Sequence, residues 1–290
     1  SDEIITVQGS NVNGIFSSQG TGYQPLDFTF NNTTGKIIFC VGSTIASMDF
    51  DGSNLNYQQA LTYQVETIGV FSAGTINPNI TSPYSTYIIY NDVYYVERLG
   101  GAPALFETDS THSFSNELYK ISNNNGAIDH IFIDQTNQDM YFLTSNNVNN
   151  LGVNVMKTSL TNFNPQVIYI IPDRLDYLED FKINPLNGEI YWSARGNTQQ
   201  SGLWRYDPVA NQAVNLIGGY VYGFCFDQSG NVYYSNQNGY ITDLSGNVIY
   251  NGQTGVDHMH YDDATQTFFL IQSDEIITVQ GSNVNGIFSS

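Results

Sequence analysis

Four side chains able to hold a metal ion recur at one place in a repeated sequence pattern. Asp27, His130, Asp180 and His258 each stand four residues before an Asn or Asp that opens a turn, the anchors being Asn31, Asp134, Asn184 and Asp262. A fifth copy has Gly223 before Asp227, and a degenerate copy supplies Glu66 or Thr67. Carboxylates suit hard cations such as Ca²⁺, and imidazoles suit Zn²⁺ and similar ions. Two of each, gathered near one axis, make a candidate divalent-cation site. The alternative is that they bond backbone groups in connecting loops, as Asp and His do at turns. His260 lies two residues beyond His258 on the same strand face. At ~3.3 Å per residue it is ~6.6 Å further along, and it reads as core.

The remaining chemistry-bearing residues are less ordered. Asp49-Phe50-Asp51-Gly52 lacks the rest of an EF-hand loop and reads as a turn. No Gly-x-Ser-x-Gly elbow, phosphate-binding loop or dinucleotide fingerprint occurs. Cys40 and Cys225 sit inside apolar strand-like runs and read as buried thiols, since their spacing does not imply a disulfide. Tyr191 and Trp192 read as sheet core rather than as a ligand platform.

The elements that must position the column are hairpins. A short apolar strand runs into Asn or Asp, then a turn, then a strand rich in Tyr, Phe and Ile. The copies lead from Phe28–Asn31 to Lys36–Phe39, from Ile131–Asp134 to Met140–Leu143, and from Phe181–Asn184 to Ile190–Ser193. Two more lead from Phe224–Asp227 to Val232–Ser235 and from Met259–Asp262 to Phe268–Ile271. A degenerate sixth ends in Asn91–Tyr95, its first strand being either Thr67–Ser72 or Tyr87–Tyr90. Third strands follow, such as Leu203–Tyr206 and Tyr240–Asp243, and weaker fourth strands after them. Units of four short antiparallel strands at a period of about 40–50 residues predict a propeller. The expected fold is all-β, a six-bladed β-propeller of four-stranded antiparallel blades, spanning 19–290. Its blades are predicted at about 24–64, 65–125, 126–173, 176–218, 219–252 and 255–290.

A second regularity is stricter. Residues 1–18 are identical to residues 273–290, an offset of 272. Six blades at that offset average about 45 residues, an ordinary blade length. Each copy predicts two strands, the third and fourth of a blade whose first two lie in 256–271. Their apolar residues are Ile4, Ile5, Val7, Ile15 and Phe16 in one copy, and Ile276, Ile277, Val279, Ile287 and Phe288 in the other. A closed ring has room for one pair, so one of two identical terminal segments closes the last blade. The surplus pair reflects a longer array of 272-residue repeats, docking on a neighbour by strand addition, or an accidental duplication.

Composition narrows the function classes. The formal net charge is −19, with 8 Lys and Arg against 27 Asp and Glu. A nucleic-acid binder needs a basic stripe to displace counterions from phosphates, so nucleic-acid partners are excluded. No apolar run suited to membrane insertion occurs, and an anionic surface would repel the chain. Aromatic residues make up 14% and charged residues 12%, the balance of a large β core rather than of a disordered chain. No signal peptide is visible, and the chain begins within a strand pattern, as a mature or partial product would. Sequons at Asn31, Asn32 and Asn79 mark candidate glycosylation sites and point to a secreted setting.

Ile190-Tyr191-Trp192-Ser193-Ala194 resembles the signature of the YWTD propellers of the low-density-lipoprotein-receptor family, and Met48–Asn54 looks like their recurring Leu-Asp-Gly turn. The resemblance covers most of the chain as a pattern. It implies a six-bladed, extracellular protein that works by protein–protein contact and is not an enzyme. Other units read Tyr-Phe-Leu-Thr, Tyr-Tyr-Ser-Asn and Phe-Phe-Leu-Ile, which leaves kinship open to NHL-type or gluconolactonase-like propellers. The gluconolactonase-like family holds its metal at the channel mouth, so that kinship would imply a Ca²⁺-type hydrolase using the column above.

The expected function is therefore a non-catalytic, extracellular or cell-surface structural and adhesive propeller, a unit of a repeating or strand-linked fibre. Its partners are copies of itself, with glycans as further candidates. No cofactor is expected; Ca²⁺ or another divalent cation belongs to the alternative, a metal-dependent hydrolase or lactonase. A third reading is a single ligand-binding ectodomain.

Overall fold

The period-two patterning of the hairpins is realised as strands throughout the described residues. The computed structural model describes residues 3–8, 11–17, 25–31, 34–41, 44–60, 67–70, 84–90, 93–98, 103–109, 115–122, 126–147, 151–184, 186–195, 201–251, 256–272, 275–280 and 283–289. Two compact units divide the chain: residues 1–148, 154–169 and 287–290 form one, and residues 149–153 and 170–286 the other.

In the first unit, β1 (Glu3–Gln8) and β2 (Asn11–Ser17) pair as a separate two-stranded antiparallel sheet, with Val7 opposite Val12 and a bulge at Ile4/Ile5. Then β3 (Pro25–Asn31), β4 (Lys36–Val41), β5 (Thr44–Asp49) and β6 (Asn56–Ala60) form a four-stranded sheet in chain order. Next come β7 (Thr67–Val70), β8 (Tyr84–Tyr90), β9 (Val93–Arg98), β10 (Ala104–Asp109) and β11 (Ser115–Lys120). They are followed by the sheet of β12 (Ala127–Asp134), β13 (Asp139–Ser145), β14 (Val153–Ser159) and β15 (Gln166–Ile171).

Most of the second unit is three sheets of the same plan. They are β16 (Leu178–Ile183), β17 (Ile190–Ala194), β18 (Gly202–Asp207) and β19 (Gln212–Gly218); β20 (Val221–Phe226), β21 (Val232–Asn236), β22 (Tyr240–Asp243) and β23 (Val248–Asn251); and β24 (Val256–Asp262), β25 (Thr267–Gln272), β26 (Glu275–Gln280) and β27 (Asn283–Ser289).

Among the described residues, five four-stranded sheets stand where six were expected. The predicted blade at 65–125 is instead a five-stranded sheet ordered β11-β10-β9-β8-β7, with β7 parallel to β8. The described parts of both segments proposed for its first strand are strands, β7 and β8, lying side by side with Thr67 opposite Thr86 and Ile68 opposite Tyr87. The reason is the length of the link 71–83. A tight turn gives an antiparallel neighbour, whereas a parallel one needs a crossover of about a dozen residues.

Sequence explains why the hairpins turn where they do. Asp134 Oδ1 accepts from the N–H groups of Thr136 and Asn137 at 3.0 and 3.1 Å, and its Oδ2 accepts from Asn137 Nδ2 at 2.7 Å. Asn184 Oδ1 accepts from Leu186 N at 3.0 Å. The anchors recur because a short acceptor side chain can close a turn on its own backbone.

Side-chain burial follows the sheets. In the first unit Leu105, Ile128, Ile133, Met140, Phe142 and Met156 form one core cluster. In the second, Tyr191, Leu203, Val221, Phe224, Val232 and Tyr234 form another. All five residues of β17 are buried, while the outer strand β19 has only exposed and partly covered positions. Full burial of each large apolar side chain contributes ~1.5–3 kcal/mol. Trp192 and Trp204 stack at 6.1 Å between ring centres, and Tyr191 meets Phe226 edge-on at 5.0 Å. Gly202 opens β18 with φ +137°, and a Cβ there would stand 2.1 Å from the Ile217 carbonyl oxygen, so no other residue fits.

Candidate functional site

The column sits at a shared irregularity. In each four-stranded sheet the first strand slips register where the column residue falls: between Pro25 and Asp27, Asp129 and Phe132, Leu178 and Asp180, Val221 and Phe224, and Val256 and His258. A bulge turns a side chain out of the regular alternation, which is what a loop-facing ligand or a backbone clamp requires.

The carboxylates act as clamps. Asp27 Oδ1 accepts from Phe28 N at 2.8 Å, and Asp180 Oδ1 accepts from Phe181 N at 2.9 Å. Asp180, only 5% exposed, uses Oδ2 to accept from Phe224 N of the neighbouring sheet at 3.2 Å and to pair with Lys182. His130 has a left-handed backbone, φ +48°, and its Nδ1 lies 3.2 Å from Asp129 Oδ1. Burial pushes the Asp129 carboxyl up, but the His130 charge and its hydrogen bonds outweigh that and leave it below the usual range. His258 is partly buried in β24. Asp27 and His130 belong to the first unit, Asp180 and His258 to the second. Among the described residues, no three His, Cys, Asp or Glu side chains form a group fit to hold a metal ion. Glu66, Asn32 and Asn79 lie outside the described residues; Thr67 opens β7 and Asn31 ends β3.

Cys40 and Cys225 are buried thiols. Cys40 Sγ donates to the Asp27 carbonyl at 3.4 Å, and burial pushes the Cys225 thiol up. His260 is held down at about 4 by burial and the Lys182 charge. Asp49 closes its own turn by accepting from Ser53 Oγ, Asn54 Nδ2 and Lys36, as the turn reading expects.

Sequence reasoning missed two features. The first is a pair of hydroxyl clips between neighbouring sheets of the second unit. Ser193 Oγ donates to the Tyr222 carbonyl at 2.6 Å, and Ser235 Oγ donates to the Val256 carbonyl at 2.7 Å while accepting from Val256 N at 3.2 Å. The signal was the Ser closing both Tyr-Trp-Ser193 and Tyr-Tyr-Ser235. The second is a turn written twice, Asp227-Gln-Ser-Gly-Asn231 and Asp243-Leu-Ser-Gly-Asn247. In each, the Asp accepts from the Ser N–H, at 2.9 Å in both, and from the Asn side chain, at 2.7 Å in both.

Between these twin turns lies an open cleft of about 410 Å³, lined by Tyr191, Asn231, Tyr233, Asp243, Leu244 and Ser245 among others. Its phenols are engaged: Tyr191 donates to Glu189 at 3.0 Å and Tyr233 to Asp227 at 3.3 Å. Burial and those carboxylates push both phenols up to about 12. They stay neutral at pH 7 with their protons committed to those carboxylates, which leaves them unsuited to act as bases.

No protein-family model and no curated protein matches the chain. Solved structures do. A gluconolactonase from Xanthomonas campestris, XC5397, aligns over 99% of this chain and 94% of its own, with TM-score 0.63 and 10% identity. A chain of the nidogen/laminin complex aligns over 89% of this chain and 97% of its own, with TM-score 0.56 and 10% identity. The chain is a β-propeller. A third similar structure, the extracellular domain of the hybrid two-component protein BT4673 of B. thetaiotaomicron, aligns over 98% of this propeller and 40% of its own length, with TM-score 0.60 and 13% identity. Likeness at these identities carries the fold, and function must come from the site. No helix among the described residues is long and apolar enough to cross a membrane.

The remaining sequence-derived site is the duplicated strand pair, and the propeller treats its two copies differently. The second copy is β26–β27 and completes the sheet begun by β24–β25. There β26 pairs with β25 from Phe268↔Val279 to Gln272↔Glu275. Ile277 and Val279, 4% and 1% exposed, pack in a cluster with Cys225, Ile241, Val256, Met259, Phe268 and Leu270. The first copy, β1–β2, has the same strand bounds displaced by 272 residues and forms its own two-stranded sheet. Ile4, Ile5 and Val7 lie in β1, Ile15 and Phe16 in β2, Ile276 in β26, and Ile287 and Phe288 in β27.

Proposed function

We propose that this propeller is a non-catalytic, extracellular structural or adhesive unit that assembles with copies of itself through the duplicated strand pair. The observation that carries the reading is the double use of one sequence, as sheet-completing strands β26–β27 and as the separate sheet β1–β2. A lone two-stranded hairpin is marginally stable in water, and its edges present unpaired N–H and C=O groups. The residues corresponding to Ile5 and Val7 in the other copy, Ile277 and Val279, are buried. The first copy therefore suits an equivalent sheet in another unit. Repeated head-to-tail contacts of this kind are heterologous and build filaments when the rotation does not close.

Further support comes from the column, where Asp27 and Asp180 hold backbone N–H groups. The YWTD-like stretch Ile190–Ala194 and the sequons at Asn31, Asn32 and Asn79 support an extracellular setting and kinship with the binding propellers. Electron microscopy tests the assembly: rows or fibres are expected once copies are crowded toward the millimolar range, where a foreign hairpin matches the tethered pair, and isolated particles even there overturn it. Metal analysis tests the absence of catalysis by the alternative route. The purified protein should carry no stoichiometric divalent cation; one whose chelation lowers stability would favour a metal-dependent hydrolase.

A further inference from the structure

The β25 edge that receives β26 reads only the residues presented to it, and those residues occur twice in the chain. Its partners are Val279, Thr278, Ile277, Ile276 and Glu275, opposite Phe268, Phe269, Leu270, Ile271 and Gln272. Val7, Thr6, Ile5, Ile4 and Glu3 are the same five residue types in the same order, already extended as β1 and already paired to β2. Ile277 and Val279 of the closing strand are buried, and the first copy has the same residue types at the same spacing in Ile5 and Val7. A one-residue slip would turn those side chains to the other face, so the pattern fixes the register as well as the fit.

We propose that the β25 edge of one chain takes the β1–β2 hairpin of a second copy, in the register Phe268↔Val7 to Gln272↔Glu3. The inference rests on the self-assembly reading above and names its contact. Each chain carries two donors and one acceptor, so exchange by itself gains no buried area, and the chain's own pair competes. Tethered on a short link, that pair acts at an effective concentration of about 1 mM. At about 10 μM protein, a foreign hairpin then fills roughly 1% of acceptors. Capture dominates where the acceptor's own pair is withheld or the copies are held close together.

Thiol pairing reads this directly, because Gln272 and Glu3 become cross-strand neighbours only in the docked state. Chains carrying Gln272→Cys are mixed with chains carrying Glu3→Cys and oxidised; native Cys40 and Cys225 are buried and do not compete. The expected result is a small fraction of disulfide-linked two-chain species, rising at least tenfold when the acceptor also carries Ile277→Asp and Val279→Asp. Absence of the species from both mixtures overturns the proposal. Should the doubly charged acceptor fail to fold, Glu3→Cys and Gln272→Cys in one chain give the second measurement. Intermolecular disulfides that grow with concentration are expected; purely intramolecular ones, or none, overturn the second-copy assignment. Filaments without the cross-link sink this contact and leave the assembly reading standing, whereas cross-links with only isolated particles do the reverse.

Discussion

The carboxylate of Asp180 accepts a hydrogen bond from the backbone N–H of Phe224, 44 residues further along the chain, at 3.2 Å. The same side chain holds Phe181 N and pairs with Lys182, whose ammonium lies 4.8 Å from the centre of the Phe224 ring. One acid thus ties the bulge of β16 to the first strand of the next sheet. Removing an acceptor strands buried N–H groups, at about 1–3 kcal/mol each. Asp180→Ala should lower stability by about 2–4 kcal/mol, and Asp180→Asn, which keeps one acceptor oxygen, by about half that. Urea unfolding reads both, and equal midpoints for wild type and Asp180→Ala would remove the clamp role.

The serine clips give a graded pair. Ser235 serves both backbone groups of Val256, while Ser193 serves one carbonyl of Tyr222. Ser235→Ala leaves a buried N–H and a carbonyl unmet and should cost about 1–3 kcal/mol; Ser193→Ala should cost about 0.5–1.5 kcal/mol. Thermal unfolding of the two variants should preserve that order.

Stability should respond to pH through His260. Its folded value of about 4 lies below the ordinary 6.5, so the unfolded chain binds the proton that the folded chain refuses. Stability from this group is complete above about pH 6.5 and is lost as pH falls from there to about 4. Asp49 and Asp129 are likewise depressed, but from an ordinary carboxylate value of 3.8, so their contributions are present above about 3.8 and disappear only below it. Urea midpoints measured from pH 7.5 to 4.5 should therefore decline, and His260→Gln should flatten most of that slope. A variant with the wild-type slope would assign the decline to other groups.

Matched substitutions separate the two copies of the repeated pair. Val279 is 1% exposed and packs with Phe268 and Leu270. Val279→Ala should destabilise by about 1–3 kcal/mol, in the range for deleting buried methyl groups. Val7→Ala, in the copy that stands as its own sheet, should change the unfolding of the dilute chain by less than about 0.5 kcal/mol. Equal effects would mean that β1 is buried in the dilute chain as deeply as β26.

Much of the architecture was legible because hairpins announce themselves locally. Asp134, Asp227 and Asp262 close turns with their own side chains, so the anchors could be read without knowing any neighbour. The blade at 65–125 was misread because the hairpin pattern says nothing about a strand added across a long link: β7 and β8 were weighed as rivals for one position, and the sheet contains both. The column recurs at the register slip of each first strand, and what each side chain meets there depends on what lies opposite. Asp180 accepts from the backbone N–H of Phe224, a partner distant in sequence that no local pattern names. The clips at Ser193 and Ser235 were hidden for the same reason, since a serine ending a strand names no partner.

The duplicated segment separates the two kinds of information most cleanly. Eighteen identical residues form two strands with identical bounds at both ends of the chain. Strand extent, turn position and apolar alternation are local properties of those residues, so the sequence alone determined them. Whether the pair stands as its own sheet or closes another is not encoded in it. That depends on an open β25 edge and on the core of Phe268, Leu270 and Cys225 against which Ile277 and Val279 are buried. Edge and core exist only after distant strands have packed, and only the tertiary structure decided which copy would meet them.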